Sequence, residues 1–233
     1  MNPILKRTLT GLAVGSVVIC AVLLAPFLAQ AIALFVIAIL VFCEYLALLA
    51  KKRLSTSLAC IAVFLGLVAI NWGLGGLGRI SWTYGDATCG PFRLGNVMLL
   101  YVIAIVKFSD VGGFAFGLTS AKLMKGGNHK LCPTISPNKS WEGLFGSIFA
   151  SCLVSCSFMG VTGFGVVKSL ACGVTAALVG TAGDLVESKF KRWVGVKDSS
   201  TMKITNGMGG FLDMVDSLLF APAVLYFLMG LDF

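Results

Sequence analysis

Residues 30–53 read QAIALFVIAILVFCEYLALLAKKR, an apolar run through Ala50 with one charge, Glu44, closed by Lys51, Lys52 and Arg53. A helix needs about 20 apolar residues to cross the hydrocarbon of a bilayer. Lipid offers the backbone no hydrogen-bond partner, so a run this long is read as a helix. The cations at its end mark the side on which it stops. Working outward, similar runs occupy 9–29, 56–76, 96–118, 142–162, 166–186 and 211–231. The composition agrees: 58% of the 233 residues are hydrophobic and 12% are charged, with a mean hydropathy of +0.95. A soluble domain is about 45–50% apolar and about 25% charged. The expected fold is all-α, a polytopic integral membrane protein of about seven transmembrane helices. A soluble globular enzyme, a disordered chain and a coiled coil are excluded.

The net charge of +8 has no soluble basic domain to carry it. It therefore reports orientation and not nucleic-acid binding. Fourteen of the 18 basic residues fall on one side of a seven-span layout. They are Lys6 and Arg7, the cluster Lys51 to Arg53, the group Lys122, Lys125, Lys130 and Lys139, and the group Lys189, Lys191, Arg192, Lys197 and Lys203. Arg79, Arg93 and Lys168 fall on the other side, and Lys107 lies within a span. This pattern puts the N-terminus in the cytoplasm and the C-terminus outside. Lys6 and Arg7 before an apolar stretch look like the start of a signal peptide. The stretch is long, lacks a clean cleavage site and runs straight into the next span at Pro26, so a retained helix is expected, forming a hairpin or a re-entrant pair. Cys20, Cys43, Cys60, Cys152, Cys156 and Cys172 sit inside apolar runs, where free cysteine packs as a small hydrophobe. No disulfide framework is expected.

The chain holds ten carboxylates. One at the centre of a membrane helix costs about 2.5–3.5 kcal/mol on insertion scales, so such residues are functional candidates by default. Asp184 and Glu187 are three apart at the end of one span, and Asp213 and Asp216 are three apart at the start of the next. Each pair shares a helix face. The two spans run in opposite directions, so both pairs reach the same membrane level. Four converging carboxylates repel unless something neutralises them. Hard oxygen ligands favour Mg²⁺, with room for a second cation. Blander readings exist: Asp213 and Asp216 as partners of a helix N-terminus, and Glu187 with Lys191 as an i,i+4 pair. The loop Ser188 to Arg192, followed by Lys197 and Asp198, sets cations beside the acids, which suits a phosphate. The other loop on that side contains Ser136-Pro137-Asn138-Lys139-Ser140-Trp141-Glu142-Gly143. Pro137 and Asn138 set a turn, and Ser140 suits a helix cap. Neither explains Glu142. Asp110 is followed by Gly112, Gly113 and Gly117, which let a helix or ligand come close. His129 is read as an ordinary loop residue.

Taken in order, residues 110–217 resemble the phosphatidate cytidylyltransferases, the CDP-diacylglycerol synthases. Ser188, Phe190, Lys191, Arg192, Lys197, Asp198, Gly209, Gly210, Phe211, Asp213, Val215 and Asp216 match that family's signature. Gly183 to Ser188 is similar to its Gly-Asp-x-x-Glu-Ser, and Ser136 to Gly143 to its Ser-Pro-x-Lys-Thr-x-Glu-Gly. Asp110 to Gly117 is similar to its Asp-x-x-Ala-Tyr-x-x-Gly. Met208 and Met214 stand where the family has His and Arg, and Thr205-Asn206-Gly207 stands where Pro-Gly is usual. Lys203 lies in a loop two residues longer than expected. The resemblance implies an inner-membrane, multi-pass enzyme that takes CTP and phosphatidic acid and faces the cytoplasm. It implies one membrane domain, with spans and an outer loop in 1–95 and the catalytic region in 96–233. Asp184, Asp213 and Asp216, supported by Glu187, are expected to hold Mg²⁺. Lys191, Arg192, Lys197 and Lys139 are expected on phosphates, with Asp198 orienting the basic loop. Ser136, Asn138, Ser140, Glu142, Asp110, Ser188, Gly209 and Gly210 are expected to line the substrate site. Small residues on the spans are compatible with a homodimer. A CTP enzyme acting on another lipid, a degenerate homologue and a transporter stay open as readings.

Overall fold

The computed structural model describes residues 15–52, 54–85, 87–196 and 210–230. It is mostly helical. In order it has α1 (Gly15–Leu24), α2 (Phe27–Leu49), α3 (Thr56–Thr83), a hairpin of β1 (Thr88–Cys89) and β2 (Phe92–Arg93), and α4 (Leu94–Leu123). A second hairpin of β3 (Lys130–Cys132) and β4 (Ser136–Ser140) leads into α5 (Trp141–Ser157), α6 (Met159–Thr162) and α7 (Val166–Val194). After residue 209 come α8 (Phe211–Val215), a 3₁₀ turn (Ser217–Leu219) and α9 (Ala221–Leu228). Helices α2, α3, α4 and α7 are long and apolar enough to cross a membrane.

The helices outrun the apolar windows read from sequence. α3 continues to Thr83, and α7 continues to Val194, so Lys189, Lys191 and Arg192 are helical and not in a loop. Hydropathy registers only the part that lipid surrounds; the intrahelical hydrogen bonds carry on past it. The larger departure is 211–231, expected as one span. It is broken into α8, the 3₁₀ turn and α9, with Pro222 in the first turn of α9. Proline is tolerated there because that N–H lacks an intrahelical partner anyway. The break between α1 and α2 falls at Pro26, as the sequence suggested. Its freed carbonyls are answered by side chains: Gln30 Nε2 donates to Val22 O (2.7 Å), and Asn96 Nδ2 donates to Leu23 O and Ala25 O.

The core runs through Val41 and Leu48 of α2, Leu74 and Leu77 of α3, Tyr101 and Ile105 of α4, Ala176 of α7 and Leu225 of α9. Large apolar side chains also cover the outside, among them Phe35, Phe64, Phe145 and Phe149. A monomer in water rarely exposes so wide an apolar surface, whereas lipid accepts it. α5 lies against α4 and α7. A methyl group added at Gly112 would stand 2.5 Å from both the Ala150 Cβ and the Gly146 carbonyl, so the α4–α5 approach depends on glycine. On its other side α5 turns Ser151 and Ser155 toward α7. They donate to Gly173 O (2.8 Å) and Ser169 O (2.6 Å).

Candidate active site

One end of the bundle gathers the polar segments: the later turns of α4, the β3–β4 hairpin, the start of α5, the end of α7, and α8. Between them lies a cavity of about 290 Å³. Its walls carry Ser136, Asn138, Lys139 and Ser140 from β4, Asp110 and Gly113 from α4, Gly143 and Ser147 from α5, and Thr181 and Asp184 from α7. The hairpin is held in place at the α5 entry. Ser140 caps α5 by accepting from Gly143 N (3.1 Å). Glu142 is not on the cavity wall and meets His129 Nδ1 at 2.6 Å; both its oxygens also accept from the His129 backbone N–H at 3.2 Å. The expectation that His129 is an ordinary loop residue missed this contact.

The acids form two adjoining groups. In the first, Lys139 Nζ pairs with Asp184 Oδ2 at 2.5 Å and reaches toward Thr181 O at 3.4 Å. Asp216 comes against Asp184, and Asp110 faces it from α4. Lys107 Nζ donates to Asp110 Oδ2 (3.3 Å), Ser217 Oγ (3.0 Å) and Met214 O (2.9 Å), and Ser217 Oγ donates to the same Asp110 oxygen (2.9 Å). In the second group, Lys191 Nζ bridges Glu187 Oε2 (2.8 Å) and Asp213 Oδ1 (2.6 Å). Asp213 Oδ2 also accepts from Gly210 N (3.1 Å). The two bland readings are thus realised here: an i,i+4 pair at Glu187 and Lys191, and a helix-start contact at Asp213. Of the four acids expected on a metal, Asp184 lies against Asp216 and Glu187 against Asp213, with Lys191 bridging the second pair.

Helix geometry explains the approach of Asp216. A Cβ at Gly183 would stand 3.0 Å from Asp216 O and 2.9 Å from Phe220, so the glycine before Asp184 lets the acidic segment lie against α7. Ser188 and Arg192 continue the Asp184 stripe of α7 at four-residue steps, Ser188 half-buried and Arg192 exposed. Lys197, Asp198 and Gly209 lie outside the described residues, as do Lys203 and Met208. Sequence reading gave no role to Lys107, Glu44 or Thr181. Glu44 is 1% exposed and accepts from Leu212 N at 2.8 Å. A single acid in the most apolar span was the available signal.

The donor set suits a hard cation. Asp184 Oδ1 and Glu187 Oε1 are buried and lack a hydrogen-bond partner. A buried carboxylate oxygen left in this way is costly, and a divalent ion with oxygen preference would satisfy it. Among the described residues no three acids, cysteines or histidines stand in a closed ligand set.

Known proteins bear on this arrangement. A phosphatidate cytidylyltransferase of Staphylococcus aureus (strain COL) is 43% identical over 133 residues, which is 56% of this chain and 48% of the relative. Those of Staphylococcus saprophyticus and Staphylococcus epidermidis are 41% identical over the same length. The chain spans about half the length of the curated relatives it matches. The sequence pattern described as the cytidylyltransferase family matches residues 80–232, taking in α4, the hairpin, α5, α7 and α8. The match therefore covers every element that lines the cavity and carries its acids, and the chain belongs to the cytidylyltransferase family.

Proposed function

We propose that the chain transfers a cytidylyl group from CTP to phosphatidic acid, giving CDP-diacylglycerol and pyrophosphate for phospholipid synthesis. The observation that carries this reading is the meeting of Lys139 on β4 with Asp184 on α7 across one cavity, beside Asp110 and Asp216. That the relatives are phosphatidate cytidylyltransferases supports the same substrates. In the reaction an oxygen of the lipid phosphate attacks the α-phosphorus of CTP. The bond from that phosphorus to the bridging oxygen of the β-phosphate breaks, and pyrophosphate leaves with the electron pair. Such chemistry needs alignment and charge neutralisation more than a covalent catalyst.

The roles follow from placement. Lys139 and Lys191 stand among carboxylates and offer cationic donors to phosphate oxygens. Arg192, Lys197 and Asp198 are assigned to the same phosphate end. Ser136, Asn138, Ser140 and Ser188 supply hydroxyl and amide contacts, and Gly209 and Gly210 give close backbone approach. Glu142 holds the hairpin through His129. Asp184 and Asp216 would hold Mg²⁺, with Asp213 and Glu187 beside them and room for a second cation. When bound, the ion would neutralise charge on the transferring phosphate.

The same reading places seven spans in a bacterial inner membrane, the last one broken, with the N-terminus and the cavity facing the cytoplasm. Residues 1–95 supply the first spans and 96–233 the catalytic region of a single membrane domain, and the small-residue helix faces suit a homodimer. The test is turnover of purified protein with labelled CTP and phosphatidic acid, with Mg²⁺ and with chelator. Metal-dependent CDP-diacylglycerol is the expected product. Folded protein that makes none, but consumes CTP with another lipid such as a polyprenol, would move the activity to that lipid.

A further inference from the structure

Asp213 and Asp216 sit on and just after a helix of five residues. A helix this short does not hold itself, because nucleation is unfavourable and few hydrogen bonds follow it. Its place must be imposed from outside, and two charged residues from apolar spans do so. At its start, the Leu212 N–H donates to Glu44 Oε2 of α2 at 2.8 Å, and Glu44 is 1% exposed. At its end, Lys107 Nζ of α4 donates to Met214 O at 2.9 Å and to Ser217 Oγ at 3.0 Å. The signs match the polarity of a helix: an anion at the N–H end and a cation at the carbonyl end. Charges within apolar helices are costly, so both need a reason to be there. Neutralising Asp110 does not suffice for Lys107, since two of its three contacts are to the α8 end and the turn after it.

We propose that Glu44 and Lys107 are positioning residues that grip residues 211–217 from its two ends and set where Asp213 and Asp216 present their carboxylates. The consequence for turnover rests on the cytidylyltransferase reading given above; the grip itself does not. The experiment uses the full chain in detergent or nanodiscs and reads amide hydrogen exchange over 211–219 together with steady-state kinetics. In Lys107→Met and Glu44→Leu, exchange over 211–219 rises about tenfold or more while α4, α5 and α7 keep their protection. In the same variants kcat falls on the order of 10–100-fold with KM for CTP nearly unchanged, as expected for misplaced groups. Lys107→Arg, which keeps a cationic donor, restores both readouts to within about threefold. Wild-type exchange over 211–219 in the folded Met and Leu variants overturns the proposal, whatever the kinetics. If either fails to fold, Lys107→Leu and Glu44→Met remove the same donor and acceptor with a different apolar shape, and unchanged exchange in both overturns it equally. A wild-type protein without turnover would sink the functional reading, while the exchange arm still decides the grip.

Discussion

Lys139 and Asp184 are 45 positions apart in the chain and 2.5 Å apart in space. Each is about a quarter exposed, so neither is fully screened by water. Removing one leaves the other charged and without its partner. Lys139→Met and Asp184→Asn are each expected to lower kcat by about 10²–10³, the range for losing one group that stabilises a phosphoryl transition state. Turnover with labelled CTP on folded protein checks this; near-wild-type rates in Asp184→Asn would remove it from the site. The family resemblance marked both residues, but it did not pair them. It also left a charge deficit at Met214, where the family carries Arg. The structure brings a cation to that residue's carbonyl from another helix, through Lys107. That contact, made to the backbone of Met214 and not at the position of its side chain, has no trace in the local sequence around it.

At the level of elements, the α4–α5 contact carries the site because both the Asp110 face and the capped start of α5 depend on it. Gly112→Val drives a branched side chain into Ala150 and the Gly146 carbonyl. Overpacking of this kind costs about 1–3 kcal/mol, so a lower melting temperature in detergent is expected. Ser140→Ala removes the α5 cap and is expected to cost about 1 kcal/mol, read in the same assay. Gly183→Val acts differently. It presses on Asp216 O and Phe220, so the acidic segment moves off α7 and turnover falls more than thermal stability does. Equal losses in both measurements would show a general packing defect instead. The Gly-Gly of α4 signalled a close approach in the sequence. The breaking of 211–231 was signalled only by Pro222, and the position of the break before it depended on contacts from α2, α4 and α7.

For the whole molecule, charge and apolar surface argue for one orientation. The loop at 124–129, between α4 and β3, lies at the same end of the bundle as the cavity, and β1–β2 belongs to the opposite side in the seven-span layout. A reporter inserted in 124–129 is expected to read as cytoplasmic, and one inserted in 84–91 as external. Reversed readings would invert the proposed topology and place the cavity away from cytoplasmic CTP.

Sequence alone determined the solvent and the parts. Long apolar runs dictate membrane helices because lipid cannot hydrogen-bond the backbone. The spacing of Asp184 with Glu187 puts that pair on one helix face, since helical period is local; Asp213 and Asp216, expected to share a face as well, are divided by the end of α8 at Val215. What only the tertiary structure decided is which acids meet. Asp184 turns to Lys139, Asp216 and Asp110, while Glu187 and Asp213 share Lys191. That choice depends on how α7, α4 and the broken C-terminal segment pack, and on two charges, Glu44 and Lys107, that reach the segment from helices far away in the chain. Local periodicity carries no information about such contacts, because they are set by packing between helices and not by spacing within one.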